Sequence, residues 1–93
     1  MKQDIKKIMK YIKEELEMSE CYIASSNRPQ DDEKDLYKSI SKEELNHAEK
    51  LMNLVDTKIS TLPMNDRQRI IWDYEKDNYK EKILRIKTRR ALL

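Results

Sequence analysis

The chain has 93 residues, of which 20 are Lys or Arg and 18 are Asp or Glu, so 41% are charged while the net charge is only +2. Gly and Phe are absent, and there is one Cys and one His. These counts exclude glycine-rich phosphate loops, dinucleotide fingerprints, nucleophile elbows, Asn-Gly hairpins, internal disulfides and single-chain zinc fingers or iron–sulfur sites.

Two prolines punctuate the sequence, each among turn formers: Ser25-Ser26-Asn27-Arg28-Pro29-Gln30 and Ser60-Thr61-Leu62-Pro63-Met64-Asn65-Asp66. Proline disfavours helix at the preceding residue, and Asn or Asp caps a following one. The spacing therefore predicts helix 1 over 2–26, helix 2 over 31–60 and helix 3 over 66–90, in a single all-α domain spanning 1–93. Helix 1 carries a heptad-like seam of Ile5, Ile8, Ile12, Glu15, Ser19 and Tyr22, with Met9, Leu16 and Ile23 beside it. Helix 2 repeats the pattern in Tyr37, Ile40, Glu44, His47, Leu51 and Leu54, flanked by Leu45, Ala48, Met52, Val55 and Ile59. Two adjacent apolar lines make a stripe wide enough for a bundle. Helix 3 is less regular, with Ile70, Ile71, Trp72, Tyr74, Tyr79, Ile83, Leu84 and Ile86.

The short Asn27–Gln30 connection makes helices 1 and 2 an antiparallel hairpin. Centring the turn between Pro29 and Gln30 places Tyr22 opposite Tyr37, Glu15 opposite Glu44, and Ile12 opposite His47. Glu44-Leu45-Asn46-His47 is a Glu-x-x-His motif, whose two ends share a helix face. Here that face is apolar, and no Lys or Arg occupies the central seam at this height. Carboxylates in an apolar seam need a partner, and carboxylate with imidazole suits iron, manganese or zinc. Di-iron bundles use one Glu from each of two helices and a Glu-x-x-His from each of two others. One chain supplies half of that set. The sequence thus predicts a homodimer, or a higher homo-oligomer, that completes a four-helix bundle with two metal ions at the shared interface. Glu-x-x-His alone is common by chance in a Glu-rich helix; the conjunction of three ligand types on seams at one level carries the reading. The bland alternative is a solvated helical surface.

These residues resemble the ferritin-like superfamily, and among its members the encapsulated ferritins, whose two-helix subunits dimerise. The resemblance covers about residues 11–60 and rests on Glu14-Glu15-Leu16-Glu17 followed by Tyr22, and on Glu43-Glu44-Leu45-Asn46-His47-Ala48. It implies oxidation of Fe(II) to Fe(III) at a paired site, for iron detoxification or mineralisation. Glu44 would bridge, Glu15 and His47 would be terminal ligands, and Tyr22 would stand nearby as a redox-active residue or as plain core filler. Glu14 and Glu17 match acidic positions that admit metal in that family, and read otherwise as a solvated face. An encapsulating shell is a possible partner, but the terminal Lys87-Thr88-Arg89-Arg90-Ala91-Leu92-Leu93 lacks the Gly-containing loading peptide such clients carry.

Leu, Ile, Val and Phe number 20 of 93 residues, just above the level of about 20% that signals disorder, and so thin a core also favours association. The first 20 residues hold five Lys and no apolar run, so neither a signal peptide nor a membrane span is expected, and the lone Cys fits a cytoplasmic setting. The basic run Lys80 to Arg90 reads as cations at a helix C-terminus before it reads as a nucleic-acid contact. Trp72, with Tyr74 and Tyr79, is expected at a subunit interface, and Cys21 as a small packing residue. The rival to the di-iron reading is a helical oligomer without a catalytic metal, a structural or adaptor module; a third reading is a virion- or nucleic-acid-associated helical protein that works through the basic helix 3.

Overall fold

A computed structural model describes residues 2–25, 34–59 and 64–92, with side chains described from Ile5 onward. It contains three α-helices: α1 (Lys2–Ser25), α2 (Lys34–Lys58) and α3 (Asp66–Ala91). No strand occurs among the described residues. Residues 26–33 and 60–63, which hold both prolines, lie outside the described residues.

Each helix forms because its interior lacks Gly and Pro and is rich in favourable helix formers, Lys and Glu in α1, Lys, Glu and Leu in α2, and Lys and Arg in α3. The start of α3 is fixed by a capping box. The Asn65 side chain accepts from the Gln68 backbone N–H at 2.9 Å, and the Gln68 side chain accepts from the Asn65 backbone N–H at 3.0 Å. Two otherwise orphaned donors are thereby satisfied. Asp66 lies in the first turn of α3, and Arg89 and Arg90 in the last, each with the charge sign that the helix dipole favours. α2 repeats that polarity with Asp35 and Lys58.

α1 and α2 run antiparallel, and α3 lies along one side of the pair. The elongated body measures 50 × 19 × 16 Å. Its core takes Ile12, Leu16 and Ile23 from α1, Leu45, Ala48, Met52 and Val55 from α2, and Trp72, Tyr79, Ile83 and Ile86 from α3. Each buried Ile or Leu contributes roughly 1.5–3 kcal/mol of transfer free energy.

The hairpin register is visible in two contacts. Ser19 and Ser41 are both fully buried and bond reciprocally. Their hydroxyls lie 2.8 Å apart, and the Ser41 hydroxyl donates to the Ser19 carbonyl at 2.9 Å. Nearer the turn, the Tyr22 and Tyr37 rings pack with centroids 6.1 Å apart. Both pairings agree to within one residue with a turn centred at Pro29–Gln30.

Three expectations are corrected. Trp72 is wholly buried in the core of its own chain, with Tyr79 beside it at 6.4 Å between ring centroids; only Tyr74 is exposed, at 67%. α3 is thus a core element, because its large aromatics fill the groove beside the hairpin. Cys21 is exposed, since it projects from the side of α1 away from both neighbours. The two apolar lines are also shared out differently. On α2 Leu45, Ala48, Met52 and Val55 of the flanking line are buried and Ile59 is half-buried, while the seam of Ile40, Glu44, Leu51 and Leu54 is half-buried or exposed. On α1, Ile5, Ile12 and Ser19 turn inward with Leu16 and Ile23, leaving Ile8, Tyr11, Glu15, Met18 and Tyr22 on the open side.

Candidate metal centre

The open side of the hairpin has its own regularity. Ile8, Tyr11, Glu15, Met18 and Tyr22 recur at intervals of three and four residues, as do Tyr37, Ile40, Glu44, His47, Leu51 and Leu54. That spacing puts each set on one face of its helix, in the pattern of a seam awaiting a facing helix. Tyr11, Met18 and Leu54 on this face are exposed, at 44%, 44% and 39%.

In the middle of the seam, Glu15, Glu44 and His47 converge. One ligand atom from each lies within 4.8 Å of the others, with both carboxylates half-buried and the imidazole exposed. The Glu15 Oε2 atom is 3.6 Å from His47 Nδ1, too long for a hydrogen bond. That oxygen is shielded from solvent and has no hydrogen-bond partner. A buried carboxylate oxygen without a donor is costly, and a cation is the natural remedy.

His47 meets Glu15 rather than standing level with Ile12, and the reason is geometric. Side chains on a helix lean toward its N-terminus. Glu15 therefore leans away from the interhelical turn while His47 leans toward it, and in an antiparallel pair the two converge.

The donor set fits a divalent transition metal. Bonds of about 2.0–2.2 Å to oxygen and nitrogen hold neighbouring donors about 3–4 Å apart, so a closure of about 1 Å brings the three atoms onto one ion. Two carboxylates and a neutral imidazole leave such an ion open coordination positions. Three protein donors from one chain make an incomplete shell on an otherwise apolar face.

The remaining expected site residues stand apart. The Tyr22 ring packs on Tyr37, two helical turns, or about 10 Å of rise, beyond Glu15. Glu14 is exposed and 4.0 Å from Lys10. Glu17 is exposed and, two residues after Glu15, projects from the far side of α1. Neither Glu14 nor Glu17 joins a ligand cluster among the described residues. Sequence reasoning missed Ser41, whose role as the register partner of Ser19 was signalled only by a small polar residue in line with Leu45, Ala48 and Met52.

Among the described residues no helix is long and apolar enough to cross a membrane. No family model matches the sequence, and neither a curated protein nor a solved structure matches it.

Proposed function

We propose that this chain is a ferritin-like, iron-oxidising protein that works as a homodimer, with Fe(II) as its substrate. Two copies pair through the open seam about a two-fold axis. Each contributes Glu15, Glu44 and His47, giving four carboxylates and two imidazoles around a pair of iron ions. The observation that supports this is the convergence of those three donors, one an unpartnered carboxylate oxygen, at the centre of an exposed apolar seam.

Glu44 would be shared between the two ions, with Glu15 and His47 each holding one. His47 ligates through the neutral imidazole, as metal binding by histidine requires. The carboxylates stabilise the higher charge of Fe(III), which lowers the cost of removing an electron. In the overall reaction two Fe(II) each give one electron to dioxygen. With two protons the products are two Fe(III) and one hydrogen peroxide. Apolar neighbours such as Ile40 and Leu51 keep bulk water off the donors and strengthen their hold on the cation.

The test is anaerobic addition of Fe(II) with a mass measurement, followed by an aerobic assay of oxygen consumption. The expected result is a shift from monomer to dimer on Fe(II) addition and oxygen uptake coupled to Fe(III) formation. Glu44→Ala and His47→Ala should each reduce uptake to the rate of Fe(II) in buffer alone. Undiminished uptake in both variants would overturn the reading. A dimer that forms without iron and consumes no oxygen would favour the plain helical oligomer.

A further inference from the structure

A groove of about 530 Å³ runs between the first half of α2 and the end of α3, lined by Asp35, Lys38, Ser39, Lys42, Lys87 and Arg90. Helical periodicity sets Lys38 and Lys42 on the opposite side of α2 from Glu44 and His47, so nothing in this groove depends on the metal reading. Among the described residues lining it, four cations stand against one carboxylate, Asp35, with Glu49 beside Lys87.

The cations are only partly satisfied. Lys87 pairs with Glu49 at 2.9 Å. Lys38, Lys42 and Arg90 have no ion pair among the described residues. Arg90 Nη1 is shielded from solvent and has no hydrogen-bond acceptor. Lys38 and Lys42 are four residues apart on one helix, and Lys87 and Arg90 three apart on another, spacings at which like charges repel. The fold therefore gathers positive charge at a cost and leaves a guanidinium donor unmet. An anion carrying several acceptor oxygens relieves both.

We infer that this groove is a binding site for a phosphate-bearing anion. The guanidinium supplies directional donors and the lysines supply charge, the combination that phosphate oxygens take best. The exposed Ser39 hydroxyl adds a neutral donor. A singly charged carboxylate would leave most of the cations uncompensated, so a multiply charged group is the better match. The phosphate can be that of a free anion or of a nucleic-acid backbone.

Calorimetric titration of the full chain with inorganic pyrophosphate, and separately with a short DNA duplex, tests the site and distinguishes the sources. Saturable pyrophosphate binding is expected, weakening as salt is added. Arg90→Gln should weaken it about tenfold, the scale of one charge-assisted hydrogen bond. Lys42→Gln, at an exposed position where the fold is not at stake, should weaken it too, while Lys7→Gln on α1 should leave it unchanged. If the duplex also binds and loses affinity in the same two variants, the phosphate is that of a nucleic acid; if only pyrophosphate binds, it is a free anion. Absence of saturable binding by either probe, or equal weakening by Lys7→Gln, overturns the site.

Discussion

Tyr79 shows how burial and a neighbouring charge act on one group. Its residue is 6% exposed, and its hydroxyl donates to the Met9 carbonyl at 3.4 Å. Burial first, and then the Glu75 carboxylate nearby, push its phenol up from 10.0 to about 12. A group whose folded pKa is raised contributes stability that is fully present below its unfolded pKa and is lost as pH climbs through the folded one. The chain should therefore lose stability between pH 10 and about 12. Urea unfolding across that range should show the loss in the parent and a flatter profile in Tyr79→Phe. Asp56 is the acid counterpart. Burial alone would raise its carboxyl, but the Lys76 ammonium at 2.8 Å and the Trp72 indole N–H at 3.2 Å hold it below its ordinary value of 3.8. Its contribution is present above that value and is lost as pH falls through the lowered one. Asp56→Asn should remove the loss on that acid side, read from the same unfolding curves.

At the scale of elements, the Ser19–Ser41 pair fixes the sliding position of α1 against α2. Ser19 follows Glu15 by one turn, and Ser41 precedes Glu44 by three residues, so the lock sits directly beside the donors it aligns. Each hydroxyl serves the other helix of the hairpin. Ser19→Ala and Ser41→Ala should each cost about 1–2 kcal/mol, because each leaves a buried polar group short of a partner. The double variant should cost less than the sum of the two, since its second change strips groups already unpaired. A double-mutant cycle by urea unfolding checks both numbers. How far these elements could be read beforehand follows from their patterns. The hairpin, its register and the grouping of Glu15, Glu44 and His47 are carried by regular spacing and one short connection. Which apolar line of α2 turns inward is not. That choice belongs to α3, whose crowded Ile70-Ile71-Trp72 and Tyr74 show no single face until Trp72 is seen in the core and Ile70 in solvent, 70% exposed. The basic groove was hidden for a similar reason, since Lys38 and Lys42 stand almost fifty residues from Lys87 and Arg90.

For the whole molecule, the notable imbalance is between the two sides of the hairpin. One is covered by α3, with Lys76–Asp56 at 2.8 Å and Lys87–Glu49 at 2.9 Å along the contact. The other shows Tyr11, Met18, Leu36 and Leu54 to solvent, at 39–54% exposure. Adjacent apolar groups left bare around ligand-type residues are characteristic of an interface. In the proposed dimer, Leu54→Glu should prevent pairing by putting a charge into the apolar seam that the partner copy covers. The altered chain should stay helical and lose iron-induced association in sedimentation velocity runs, because Leu54 makes no core contact whose removal would unfold the monomer.

The placement of α3 along one flank has a further consequence for how many copies can gather. A strip with two bare flanks could add neighbours on both, and such growth has no natural end. Here one flank is taken by the chain's own third helix, so pairing through the remaining flank would use up that seam in both participants, while Ile70, Tyr74 and Leu84 stay exposed on the outer side of α3. In the proposed dimer, association through this seam would terminate at two, and the helix that completes the core would also set the count of the assembly.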